Sequence, residues 1–191
     1  DRWIRPDLVS RTAAQVAGGL GDDWSKSYAI YNYVITLLTP DENPPSRAVP
    51  EYLNTRLADS QGYSFLFASL ARSAGVPARP VGGLAVLEDR STRVWWWAEV
   101  WIQGIGWVPV DPAMGDFALK LPGTSGDMSS FYFGGLEGRH IAFSRGILPS
   151  GPLQPYPDLR IPSTPYSLQG VWEEVSGNLQ TYTSLWPVPR V

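Results

Sequence analysis

The amino-acid sequence predicts an α+β domain in which N-terminal helices pack on an antiparallel β-sheet. Three observations predict it. Apolar residues recur at helical spacing through residues 9–74, the pattern switches to strict alternation over residues 94–102, and 43% of the 191 residues are hydrophobic, enough for a packed core. Helices first and strands afterwards argue against a doubly wound parallel sheet.

The elements follow in order. After Pro6, Val9, Ala13, Val16 and Leu20 form a helical stripe that Gly18, Gly19 and Gly21 close. A second helix runs from Asp23 to Leu38, capped by Asp22 or Asp23 and stopped by Pro40, with Ile30, Val34, Leu37 and Leu38 on its apolar side. Asp41 to Ser46 is a loop. A third helix starts at Asp59 or Ser60, buries Tyr63, Leu66, Phe67, Leu70 and Ala74, and ends at Gly75 and Pro77. Val81 to Val86 is a short apolar run followed by a turn at Glu88 to Ser91. Along Val94 to Ile102, Val94, Trp96, Ala98, Val100 and Ile102 face one way, and Trp95, Trp97, Glu99 and Trp101 the other. Gly104 and Gly106 turn this strand into Trp107–Asp111, a β-hairpin. Beyond Ala113, Gly, Pro and Ser become dense. Phe131–Phe133 and Ile141–Phe143 read as short strands, and Val171–Val175 with Leu179–Leu185 as a final hairpin. The predicted division is a core over residues 1–145, then a Pro-rich wrapping segment and C-terminal strands of the same domain over 146–191.

Composition removes whole classes of function. With no Cys there is no disulfide, thiolate metal site or Cys nucleophile, and a single His leaves no His cluster for a metal. A net charge of −3, with scattered cations, argues against nucleic-acid binding. The acidic pairs Asp22–Asp23, Asp41–Glu42 and Glu88–Asp89 match no calcium-loop spacing. No cofactor is predicted, and no window approaches the roughly 20 apolar residues of a membrane span. Without an initiator Met or a signal-peptide pattern, the chain reads as a segment of a larger or processed protein.

Two blocks carry chemistry. The first is Thr55–Ser64 running into Leu70–Arg79, which ends Gly75-Val76-Pro77-Ala78-Arg79. The second is Trp95–Trp101 followed by Gly106-Trp107-Val108-Pro109-Val110-Asp111-Pro112. In this order they resemble the transglutaminase-like family, a branch of the papain-like Cys-His-Asp fold, over about residues 8–145. Tyr132–Leu136 with Arg139–Ile141 also resembles a feature that follows the core in bacterial members. The resemblance implies a papain-like, transglutaminase-like core. It places the family's nucleophilic Cys on Ser60, the Gly two residues before it on Ala58, the catalytic His on Trp95, and the orienting Asp on Asp111.

These departures decide the expected function. A Cys–His pair works because the thiol ionises readily and imidazole takes its proton. Ser60 is a far weaker acid and depends more on an adjacent base. Trp95 is a hydrogen-bond donor only and fills space the imidazole would use. Asp111 is left with no imidazole to orient; the Trp95 indole is the donor at hand. His140, in the post-core segment, is read as a structural His rather than a substitute base. Glu99 is expected to pair with Arg79 or Arg72. Trp97 and Trp101 are expected in the core, and Trp96 packs on the opposite face.

The expectation is therefore a pseudoenzyme. Its relic cleft, bounded by Ser60, Gln61, Trp95, Trp97 and Asp111, would bind a peptide, protein or carbohydrate ligand within a larger protein. The alternatives are a residual Ser60-based hydrolase or acyltransferase, and a purely structural domain. An extracytoplasmic location is implied by the family resemblance alone.

Overall fold

Two aspartates open the two longest helices. Asp22 accepts the Ser25 N–H at 2.8 Å and starts α2, and Asp59 accepts the Gly62 N–H at 2.9 Å and starts α4; each satisfies a donor that a helix's first turn leaves unbonded. The computed structural model describes residues 3–87, 89–120, 127–146, 151–153, 156–161 and 178. In chain order the elements are α1 (Ser10–Ala17), α2 (Asp23–Leu37), β1 (Thr39–Pro40), α3 (Val49–Thr55), β2 (Leu57–Ala58), α4 (Ser60–Ser73), β3 (Ala78–Val86), β4 (Thr92–Ile102), β5 (Gly106–Val110), α5 (Pro112–Lys120), α6 (Asp127–Phe131), β6 (His140–Arg145), β7 (Gly151–Leu153) and β8 (Tyr156–Ile161). A short 3₁₀ turn, Pro6–Leu8, precedes α1.

Helix α4 is the axis of the molecule. Every residue from Gln61 to Ala71 is buried, because β3 and β4 pack on one side of it and α1, α2, α3 and α5 on the others. The main sheet is antiparallel, in the order β5-β4-β3-β6. Of the face predicted for β4, Trp96, Ala98, Val100 and Ile102 are buried, and Trp96 meets Phe65 of α4 edge-on with centroids 5.4 Å apart, but Val94 is exposed, and Trp95 and Trp97 of the opposite face are buried as well. On the other face Arg79 lies opposite Glu99, and Val81 opposite Trp97. Strand β6 comes so close to β3 that a Cβ on Gly83 would sit 1.9 Å from the Ile141 carbonyl oxygen, so only glycine fits there. A two-residue parallel pair, β1 with β2, lies beside the start of α4.

The structure revises several sequence expectations. The first helix stops at Ala17, so Leu20 is off it and 38% exposed. Three helices, α3, α5 and α6, were not anticipated. Phe131–Phe133 is not a strand: α6 ends at Phe131, and Phe133 forms an isolated bridge to Val110. Its ring packs among Trp24, Tyr28 and Tyr31, and that aromatic contact outweighs local alternation. Trp97 is in the core, but Trp101 is 41% exposed on the outer sheet face, edge-on to Trp107. Residues 146–191 contain the β7–β8 hairpin, and the hairpin expected over residues 171–185 lies outside the described residues. Among the described residues no helix is long and apolar enough to cross a membrane.

Candidate functional site

Asp59, not Ser60, is the cap of α4, and Arg47 holds the Asp59 carboxylate in place at 2.9 Å. This leaves Ser60 as the first helical residue, at the surface of a cleft. Gly62 lets the start of the helix sit deep in the fold. A Cβ there would come within 2.7 Å of the Tyr52 ring and 2.8 Å of the Ala58 Cβ. The Ser60 hydroxyl accepts the backbone N–H of Trp96 at 3.3 Å, which ties the helix start to the middle of β4.

One residue earlier on β4, Trp95 is buried with 8% exposure. Its indole Nε1–H donates to Asp111 Oδ2 at 2.8 Å. Asp111 sits where β5 hands over to α5 and is fully buried. Its Oδ1 accepts the Met114 N–H at 2.9 Å, so Asp111 caps α5 with Pro112 in the first helical position.

Asp111 does have an imidazole. His140, at the start of β6, places Nε2 3.0 Å from the same Oδ2 that receives the Trp95 indole. This corrects the expectation that Asp111 lacks such a partner. The His140 side chain is only 3% exposed, and Trp97 meets its ring edge-on with centroids 5.1 Å apart. Its Nδ1 lies 3.8 Å from Glu137 Oε1 and makes no hydrogen bond. Burial pulls the His140 pKa down, but the Asp111 bond and charge, with Glu137 adding to them, outweigh burial and leave it above the usual histidine value.

The cleft itself has a volume of about 370 Å³. Ser60, Gln61 and Trp95 line it; Trp97, Asp111 and His140 do not. Its other walls come from Pro40–Glu42 after β1, from Arg93 and Val94 of β4, and from Phe117 of α5. Two ion pairs frame it: Arg47–Asp59, and Arg93–Glu42 at 2.8 Å across the mouth. Glu99 pairs with Arg79 at 2.7 Å, as expected, while Arg72 donates instead to the Ala78 carbonyl. Among the described residues no group of His, Asp and Glu is placed to hold a metal.

The profile of the Transglutaminase-like superfamily matches residues 10–112, more than half of the chain. The chain belongs to that superfamily. No curated protein matches it. Among solved structures, this transglutaminase-like domain is similar to a candidate cysteine protease from Cytophaga hutchinsonii, with a TM-score of 0.56 at 16% identity over 76% of this chain. It is also similar to the periplasmic domain of TgpA from Pseudomonas aeruginosa, with a TM-score of 0.51 at 22% identity over 60% of this chain. It spans 44% of the length of each. At these identities the likeness concerns the fold: mixed helices and an antiparallel sheet of papain-like type.

Within this transglutaminase-like domain Ser60, Trp95 and Asp111 meet through the middle of β4. Ser60 bonds the Trp96 backbone, and the Trp95 side chain bonds Asp111. The cleft wall that sequence reasoning missed is the Pro40–Glu42 and Arg93 side, whose ion pair joins residues 51 positions apart. The cap role of Asp111 left a readable signal, Asp before Pro before an apolar run.

Proposed function

We propose that this domain is a non-catalytic member of the transglutaminase-like superfamily, and that its cleft at the start of α4 binds an extended peptide or protein segment or an oligosaccharide. The observation that carries this reading is the Trp95–Asp111 hydrogen bond. A donor-only indole takes the carboxylate at the position where the family has its histidine, and Ser60 is left beside a group that accepts no proton. The remaining imidazole, His140, is spent on the buried side of Asp111 and is not part of the cleft lining. The similarity to a periplasmic domain favours a place outside the cytoplasm, as one module of a larger protein.

Two measurements test this. Trp95 and Trp96, two of the nine Trp, line the cleft, so intrinsic fluorescence reports on it. Titration with peptide and oligosaccharide panels is expected to perturb the spectrum for at least one panel, and Trp95→Ala to abolish the response. Incubation with generic esters and with Gln- and Lys-bearing peptides is expected to give no turnover; turnover lost in Ser60→Ala would establish a Ser-based hydrolase or acyltransferase instead.

A further inference from the structure

Strand β4 is paired on one edge from Thr92 to Val100 by β3, but on the other edge β5 covers only Ala98 to Ile102. In an antiparallel ladder the N–H and C=O of a residue point to the same edge, and successive residues alternate. Two bonds fix which edge is which. Trp101 N–H donates to Pro77 on the β3 side, and Trp96 N–H donates to Ser60 on the other. The even-numbered residues of β4 therefore address the edge that β5 leaves open. Val94 is the next of these, and among the described residues nothing bonds its N–H or C=O on that edge. Val94 lines the cleft and is 54% exposed, and Phe117, 46% exposed, is also in the lining.

An open strand edge running along a cavity is a template for one more strand. The charges around it select the strand's chemistry. Arg47 is tied to Asp59, and Arg93 to Glu42. Asp41 lines the same cleft, accepts only the Asn43 N–H at 2.8 Å, and adds an uncompensated negative charge. Resting on the binding-module reading above, we propose that the occupant is an extended peptide with a basic side chain. It adds as a strand to the Val94 edge of β4, displaces the Arg93–Glu42 pair at the mouth, and sets its cation against Asp41 and Glu42. Carbohydrate offers no such backbone ladder.

The test uses the full chain and two acetylated, amidated heptapeptides of alternating valine and threonine, one with a central arginine and one with a central glutamate. The arginine peptide is expected to quench tryptophan fluorescence at a concentration about tenfold lower than the glutamate peptide. Single N-methylation along the arginine peptide is expected to weaken binding about tenfold at the amide that pairs with the Val94 carbonyl, and less than about twofold at its two neighbours, whose N–H groups point away from β4. Val94→Pro removes a donor from the open edge alone and should abolish binding while leaving the circular dichroism spectrum unchanged. A flat N-methyl scan would overturn strand addition. If oligosaccharides bind and neither peptide does, strand addition falls while the binding-module reading stands. Silence to both panels overturns both.

Discussion

On the cleft side of Trp95 the ion pair between Arg93 and Glu42 faces solvent, its side chains 50% and 77% exposed. On the other side a single carboxylate, Asp111, is sealed from water and takes three donors at once, the Trp95 indole, His140 and the Met114 amide. Both regions descend from one family architecture, yet their energetics are opposite. A buried carboxylate is tolerable only while every donor around it is engaged. An exposed pair trades its bond for water at little cost. The buried side therefore holds the fold together, and the exposed side is free to open.

The sharpest way to break this contrast is Asp111→Ala. It orphans the Trp95 and His140 donors and removes the cap of α5, so urea denaturation should show a loss of roughly 3–5 kcal/mol. A loss below about 1 kcal/mol would mean that the carboxylate is not the keystone described here. Asp111→Asn, which keeps an acceptor, should fall between.

The next test puts at residues 60 and 95 the residue types that the resemblance to the family implies there. In Ser60→Cys with Trp95→His, a thiol stands at the start of α4 with an imidazole in the place of the indole, facing Asp111. Its pKa, read from the pH dependence of alkylation, should fall at least about one unit below the free-thiol value of about 8.5. An unshifted thiol would show that residues 60 and 95 are not placed as a reactive pair. The single variant Ser60→Cys, still beside an indole, should shift less.

How far these two regions could be read from the sequence differs for a physical reason. The Ser60–Trp95–Asp111 line was proposed from the resemblance of two sequence blocks to the family; local pattern gave only a helix start, an alternating strand and a turn before Pro112. Once the resemblance set Trp95 beside Asp111, donor and acceptor types pointed to the bond between them. His140 at Asp111 was not legible, because it depends on β6 pairing with β3 in the register Ala85 opposite His140, a long-range choice that no local period encodes. Helix α3 was hidden by Pro50, which suits the first turn of a helix but reads as a breaker. Helix α5 was hidden by the Gly- and Pro-rich composition that follows it. The Arg93–Glu42 wall needed the tertiary fold to bring a loop beside strand β4.

A smaller effect comes from pH. His140 is the only histidine, and its folded pKa lies above the ordinary 6.5. The stabilisation from its protonated form is complete below the unfolded pKa and is lost as pH rises through the raised folded value. The effect is a difference, since burial opposes what Asp111 and Glu137 supply. Tyr132, pushed up to about 12 by burial and by the Glu137 and Asp111 charges, stays neutral throughout this range. Urea melts of the wild type should therefore lose stability on passing upward from about pH 6.5, and His140→Gln should flatten that slope. An unchanged slope in the variant would remove His140 from the account.

The smallest expected effect lies at the mouth of the cleft. Glu42→Gln breaks the ion pair to Arg93 between two solvent-exposed side chains, so it should change unfolding free energy by no more than about 1 kcal/mol. Raising ionic strength weakens exposed pairs, so the difference between the wild type and the variant should shrink in about 1 M salt. Access is the quantity that should respond. Acrylamide quenching of tryptophan, attributed to Trp95 by subtraction of the Trp95→Ala signal, should rise in Glu42→Gln while the melting curve stays in place. If Glu42→Gln costs as much as Asp111→Ala, the exposed pair is a structural clamp, and the division between a sealed polar centre and an openable cleft does not hold. If stability and quenching are both unchanged, the pair does not control the mouth, and a ligand reaches β4 without displacing it.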